Sequence, residues 1–395
     1  MSISESILSD HERKNLAILE TVRKEGPLSR TDISKTTKFN IVTVSNYINS
    51  FIKQGLVLEK GLDASSGGRR PEIVELNPSF GYVVGVDLSL ERISVVLADL
   101  SARIISKASA PRPREDAEGV VNALLDLIAE VIKKSGKEHT KVRGVCVGAS
   151  GVIDKEAGTI HCTEGTTSIY VPLATLIEQK FDVPAFIEND ATAASYGEWC
   201  LSLGHVADIK SMIYMYSGVG CGIIIDGEIY HGSSGSAGEP SIKWSEEKPL
   251  CDQGPACALM PWVLDLGMGQ QVLDAVKRGT QTKIAVTDGV VEMEDIFRAA
   301  RDNDPLAMEV IKRAGSNLGM KVAFIVNLLN PGVVMIGGGI EQAGSLLIDS
   351  LKKAIRDYAF DEMANAAKIV PARLGDDSVS LGSASLVIRG VFAQS

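Results

Sequence analysis

The sequence predicts an α/β protein, a duplicated domain of two lobes preceded by a small α+β module of three helices and a hairpin. Three observations predict it. The first 80 residues carry helix-cap signals and a hairpin with a glycine tip, whereas strands and helices alternate from Tyr82 onward. Within that remainder a β-β-β-helix order occurs twice. Charge divides at the same place, with 11 Lys/Arg against 10 Asp/Glu in residues 1–80 and 29 against 40 in the rest. The acidic bulk would repel a polyanion that the first part alone could approach.

A length of 395 residues with 45% hydrophobic and 23% charged side chains allows two or three domains with ample core. No stretch approaches the roughly 18 apolar residues of a membrane span. Residues Met1–Ser6 lack the basic-then-apolar order of a signal peptide, so a cytoplasmic protein with no membrane partner is expected. Cys146, Cys162, Cys200, Cys221, Cys251 and Cys257 are scattered, and most are expected to be buried thiols.

Asp10–Lys24 suits a helix with Leu16, Leu19 and Val22 inward, and Gly26-Pro27 ends it. Ser29 offers an N-cap for a second helix to about Thr37, and Asn40 caps a third, Ile41–Gln54, which Gly55 terminates. In the third helix Val44, Tyr47, Ile48 and Phe51 form one apolar face. Val42, Asn46, Asn49 and Lys53 then point the other way, flanked by Thr43 and Ser45. Asparagine can bond an adenine edge twice, and valine or threonine methyls can touch a thymine methyl, so this face fits a major groove, with Lys53 placed for phosphate. A polar face that merely meets solvent would present the same residues. The helix-turn-helix spacing and the hairpin that follows favour the DNA reading.

That hairpin runs Leu56–Lys60, then a tip from Gly61 to Arg70, then Ile73–Leu76. The tip holds Ser65-Ser66-Gly67-Gly68-Arg69-Arg70-Pro71. Two adjacent guanidinium groups on a glycine tip form a wing suited to a narrow minor groove, where negative potential attracts arginine. A loop with solvated arginines is the alternative.

Tyr82–Val86, Ile93–Ala98 and Ile104–Ala108 read as successive strands, followed by a helix over about Glu118–Lys134 and a strand at Val142–Val147. Met212–Tyr216 and Gly222–Ile225 are strands, with Asp226-Gly227 as a hairpin turn into Glu228–Tyr230. Asp304-Pro305 starts a long helix to about Leu329, and Val333–Ile336 is a buried strand ending in Gly337-Gly338-Gly339. Two such halves suggest a cleft between lobes, where small ligands bind. Three glycine-rich turns are read as facing it: Gly148-Ala149-Ser150-Gly151, Ser217–Gly222 and Gly337–Gly339. Exposed amides there could cradle a phosphate, although glycines also serve tight turns.

Ile187-Glu188-Asn189-Asp190-Ala191-Thr192-Ala193-Ala194 points to a family. Together with Gly218–Gly227, Gly235-Ser236-Ala237-Gly238-Glu239 and Asn330-Pro331 with Ile336–Ile340, it resembles the ROK family of bacterial repressors, open reading frames and sugar kinases. The resemblance covers essentially the whole chain and implies a duplicated actin/hexokinase-like fold over 79–395, preceded by a winged helix-turn-helix domain over 1–78. It places the lobes at about 79–187 plus the C-terminal helix, and 188–374. In the kinases the aspartate matching Asp190 is the base that takes the sugar hydroxyl proton, and Asn189 and Glu239 match residues that bind sugar hydroxyls. With Ser150 and Gly151 they form the implied effector site. An Asx cap on the helix beginning near Asp190 is compatible with that role. Gly218, Gly220 and Gly338 match the nucleotide-binding turns, read here as vestigial.

Three departures from the family pattern decide the function expected. Kinases carry Asp-x-Gly-Gly-Thr in the first strand turn, whereas this chain has Asp87-Leu88-Ser89-Leu90-Glu91. Side chains at Leu88–Leu90 are expected to crowd ATP phosphates, and Glu91 to repel them. The family zinc motif is degraded, with Ile242 at the histidine position, Cys251 alone in register and Cys257 displaced by one. Four N/S ligands are therefore lacking, and no zinc or other cofactor is expected. Glu164-Gly165-Thr166 stands where kinases carry a sugar-binding asparagine, so an altered ligand, a sugar or sugar derivative, is expected. The resemblance thus implies a non-enzymatic, sugar-controlled regulator of carbohydrate genes, a repressor on double-stranded DNA, acting as a homodimer or homotetramer. The alternative is an ATP-dependent sugar kinase of the ROK glucokinase type with an appended DNA-binding module. A third reading is a constitutive DNA-binding protein whose cleft stays empty.

Overall fold

Ser9 accepts the Glu12 amide and Glu12 answers the Ser9 amide, and this capping box opens α1 (Asp10–Glu25). The structure is a computed structural model, and it describes residues 8–62, 72–114, 116–155, 157–161, 168–203, 209–217, 220–240 and 267–395. A two-residue strand, β1 (Leu28–Ser29), leads into α2 (Arg30–Thr37), capped by the Ser29 hydroxyl on the Asp32 amide. Asn40 caps α3 (Ile41–Gln54), and Gly55 closes it at φ +80, the left-handed conformation that a side chain resists. The strands β2 (Val57–Leu62) and β3 (Glu72–Leu76) pair antiparallel, and β1 joins β3 in a sheet of order β1-β3-β2. Ile18, Leu19, Val22, Ile33, Val44, Ile48 and Phe51 are buried between the helices. Helices and sheet together make a winged helix.

The next strands are β4 (Tyr82–Leu88), β5 (Arg92–Asp99) and β6 (Ile104–Pro111), an antiparallel meander. Then come α4 (Ala117–Lys134), β7 (Val142–Ala149), a small hairpin of β8 (Val152–Asp154) and β9 (Thr159–His161), α5 (Leu173–Phe181), β10 (Ala185–Asn189) and α6 (Asp190–Leu201). Parallel pairing of β7 with β4 and of β10 with β7 completes a sheet of order β10-β7-β4-β5-β6. Val121, Leu124, Leu125, Ile128 and Ile132 of α4 are buried against it, as their spacing predicts.

The later part repeats this plan. β11 (Ser211–Tyr216), β12 (Gly220–Ile225) and β13 (Glu228–Ile229) form a meander. Asp226 and Gly227 both take positive φ (+52 and +82), the turn that matches strand twist. After α7 (Met268–Lys277), α8 (Met293–Arg301) and α9 (Pro305–Leu329) comes β14 (Val333–Gly337), parallel to β11. Past α10 (Ser345–Tyr358) and α11 (Asp361–Ala366), β15 (Lys368–Pro371) lies parallel to β14. The resulting order, β13-β12-β11-β14-β15, is that of the first sheet strand for strand. The last helix is α12 (Ser378–Ala393).

The chain divides into two units, Met1–Ala207 with Asp377–Ser395, and Asp208–Asp376. The break thus falls after α6, whereas the lobe boundary expected from the sequence is 187/188. Its cause is the contact between α6 and α12. A Cβ on Gly382 would stand 1.9 Å from the Ala193 carbonyl oxygen, and one on Gly197 would stand 2.8 Å from the Gly382 Cα. The two helices cross backbone to backbone, so α6 belongs to the body that holds α12. Gly382→Ala is expected to destabilise the protein by about 1–3 kcal/mol through overpacking. An unchanged midpoint in urea or thermal melting would contradict so close a crossing.

Candidate functional site

Two surfaces carry the residues singled out by sequence. On α3 the inward face is Val44, Ile48 and Phe51, all buried, while Val42 (66% exposed), Asn46, Asn49 and Lys53 face solvent with Thr43 and Ser45 half-exposed beside them. The amphipathic spacing places them so. Arg69 and Arg70 lie outside the described residues. The base of their hairpin is described, and there Arg30 at the start of α2 lies 3.2 Å from Glu59 of β2 and 3.8 Å from Glu72 of β3. Sequence reading missed that clamp, because the three residues are distant in the chain.

The second surface forms where β7 and β10 end. These strands pair in parallel with Asn189 opposite Ala149, so the residues that follow each strand emerge side by side. Ligands collect at such carboxyl ends of parallel strands. Ser150 donates from Oγ to Asp190 Oδ2 at 2.5 Å, and the Ala191 amide donates to Asp190 Oδ1 at 2.8 Å. Asn189 accepts the Thr192 amide at 3.2 Å on Oδ1 and donates from Nδ2 to the Gly151 carbonyl at 3.3 Å. Asn189 is therefore the N-cap and Asp190 the first residue of α6. Burial pushes the Asp190 carboxyl above its ordinary range, against the Ser150 and amide hydrogen bonds that favour its charge. Behind the corner, Lys155 of the loop after β8 pairs with Glu188 at 3.0 Å, and Glu188 accepts the Asn189 amide at 2.9 Å. Sequence reading missed this pair as well. Glu188 stood inside the motif but without a role, whereas nothing near Lys155 signalled it.

Ser150, Gly151, Asn189 and Asp190 are thus brought together in the first unit. Glu239 belongs to the second unit, where it is exposed at the end of a loop pinned to β12 by the Cys221 amide on the Gly238 carbonyl (2.7 Å). Burial first, and then Glu239, push the Cys221 thiol up to about 12. Ser217 also lies in this unit, donating from Oγ to the Gly338 carbonyl at 2.6 Å. A Cβ on Gly338 would come within 2.5 Å of the Ser217 amide nitrogen, so close approach as well as φ requires glycine there.

Several expectations need correction. Gly220 and Gly222 lie inside β12, with Gly220 paired to Tyr216, rather than in a turn. Gly148 lies inside β7, where a Cβ would meet Val379 and Ser383 of α12. Leu88 does not crowd a phosphate approach, since it is 1% exposed in the core. In the β4–β5 turn the Ser89 amide and hydroxyl both donate to the Arg92 carbonyl, and Leu90 is half-exposed. Gly218, Ile242, Cys251, Cys257 and residues 164–166 lie outside the described residues. Cys146, Cys200 and Cys221 are buried free thiols. Among the described residues no cluster of His, Cys, Asp and Glu could hold a metal ion, and no helix is long and apolar enough to cross a membrane.

Two sheets of one strand order, led by a winged helix, define a DNA-binding-type module joined to a duplicated actin/hexokinase-like fold. Residues 83–390 match the ROK family, and the chain belongs to it. It is 32% identical over 387 residues to the xylose repressor of Caldicellulosiruptor bescii, covering 96% of each chain. Its fold is similar to that of a ROK family transcriptional regulator described as a homologue of the E. coli MLC protein (TM-score 0.78, 24% identity, 97% of each chain). It is also similar to a ROK family glucokinase from Streptomyces griseus solved with glucose and AMPPNP (TM-score 0.65, 28% identity), covering 78% of this chain and 99% of that one.

Proposed function

We propose that the protein is a sugar-responsive transcriptional repressor that binds operator DNA through α3 and the wing and a neutral sugar at the Asp190 corner. The observation that carries this reading is the Ser150–Asp190–Asn189 arrangement at adjacent strand ends, in a chain that also presents an exposed recognition-type helix. A buried carboxylate accepts hydroxyl protons well and repels phosphate, so the effector class is an uncharged sugar rather than a sugar phosphate. The full-length similarity to a xylose repressor makes D-xylose the first sugar to try. Two winged helices on paired half-sites imply a homodimer or homotetramer. A cytoplasmic location fits a DNA-binding role.

Kinase chemistry is not part of this proposal. The β4–β5 turn offers Ser89, Leu90 and Glu91 where phosphate needs bare backbone, and Glu91 is exposed with a charge of the wrong sign. The zinc site of the kinases does not fit this chain either. Ile242 supplies no donor, and two cysteines fall short of four ligands. The retained Asp190 is what favours the kinase reading. Purified protein with Mg-ATP and a panel of aldoses is expected to consume no ATP above a no-sugar control. Turnover at about 1 per second or faster, as kinases show, would replace the repressor reading.

A further inference from the structure

The two ends of α6 face different tasks. Its first residues are the Asn189–Asp190 corner, and its last turn, about 18 Å away at 1.5 Å per residue, meets the first helix of the DNA-binding module. There Arg23 of α1, with a side chain only 6% exposed, donates from Nη2 to the Cys200 carbonyl at 3.4 Å. The same guanidinium is held by Glu20 at 2.7 Å and 3.1 Å, and Lys24 stands 3.8 Å from that carboxylate. Ten of the twelve residues of α6 are buried. The helix also crosses α12 on Gly197 and Gly382 with no side chain between the backbones, so neither helix can slide without the other.

The far end of α12 returns to α1 as well. Asn15, 1% exposed, donates from Nδ2 to the carbonyls of Ala393 at 3.0 Å and Ser395 at 2.6 Å. Helix α1 is therefore held at two points about 12 Å apart, each by the last turn of one of two crossed helices. From α1 the path to the recognition helix is short. His11 Nδ1 and the Tyr47 hydroxyl of α3 are 2.8 Å apart, and α1 shares its core with α3.

We propose that α6 and α12 form one rigid bar that carries a sugar-driven displacement at Asp190 to α1, with Arg23 and Asn15 as its pins. The proposal rests on the reading of the Asp190 corner as the sugar site. A close-packed contact has no slack to absorb a shift at one end, so the shift reappears at the other. The Arg23–Cys200 contact is the weaker pin because 3.4 Å is long for a charge-assisted bond, whereas both Asn15 bonds are of ordinary length or shorter.

The test measures operator affinity with and without D-xylose for wild type, Arg23→Ala, Asn15→Ala and the double variant. The probe is a DNA duplex selected by the wild type from a random pool. A wild-type affinity ratio of about 5- to 150-fold is expected to fall to within about 2-fold of unity in the double variant. Sugar-induced thermal stabilisation should stay at its wild-type size in the same protein. A double variant that keeps the full ratio overturns the bar. Should the variants fail to fold, hydrogen exchange on the wild type decides. D-xylose is expected to change protection at residues 20–26 as well as at 189–193, and a change confined to 189–193 overturns the bar too. If neither D-xylose nor any other neutral aldose stabilises the wild type or alters its operator affinity, the sugar-site reading fails and the bar fails with it. A wild type that responds while the variants respond equally sinks the bar alone.

Discussion

Protein with Arg69 and Arg70 both replaced by alanine is expected to bind its operator more weakly and with a shallower dependence on salt. Each guanidinium that neutralises a phosphate contributes about 0.9 to the slope of log affinity against log salt, so the double change should flatten it by about 2. The expected effect is large because the chain has few cations to spend on DNA. Its formal net charge is −10, and residues 1–80 hold all of its positive balance, a surplus of one. Asn46→Ala and Asn49→Ala should behave differently. They remove base-edge donors and acceptors, with a loss of about 1–3 kcal/mol of discrimination at single positions and no change of slope. Anisotropy titrations at several salt concentrations separate the two patterns. An unchanged slope in the arginine double variant would take the wing out of the interface.

Asp190→Ala is expected to abolish sugar-induced stabilisation while leaving operator affinity in the absence of sugar intact. At a sugar concentration of 100 times Kd that stabilisation is about 2.7 kcal/mol, and its loss is visible in a melting curve. The sugar-free protein should melt within a few degrees of wild type. Burial already disfavours the charged carboxylate, so its removal relieves that penalty while giving up the Ser150 and Ala191 hydrogen bonds. A variant that keeps the full sugar shift would move the site elsewhere.

The elements were legible where local chemistry decides them. Ser29, Asn40, Gly55 and the Asp304-Pro305 pair set helix ends within a residue, because a cap satisfies amides that nothing else nearby can reach. Asp226-Gly227 was equally plain. What depends on distant packing was not legible. Gly148 looks in sequence like a phosphate turn, yet it lies in β7, and what requires glycine there is α12, more than 200 residues later in the chain, which leaves no room for a side chain. Leu88 is likewise fixed by packing, in a strand buried along its whole length. At the Asp190 corner the motif located the carboxylate and its asparagine. The Lys155–Glu188 support and the Asn15 and Arg23 contacts join residues whose proximity only the fold creates.

The turn between β4 and β5 bears on whether a phosphate-binding turn could be installed in this chain. Ser89, Leu90 and Glu91 sit at the surface, and their replacement disturbs little beyond the two hydrogen bonds of the Ser89 hydroxyl with the Arg92 backbone. Leu88, in contrast, fills core space with 1% of its surface exposed, and taking it to a small residue would cost about 2–5 kcal/mol. Glycines at 89 and 90 could thus be introduced by two nearly neutral steps, whereas position 88 is committed to the core. A route to a phosphate-binding turn would run through the exposed residues only.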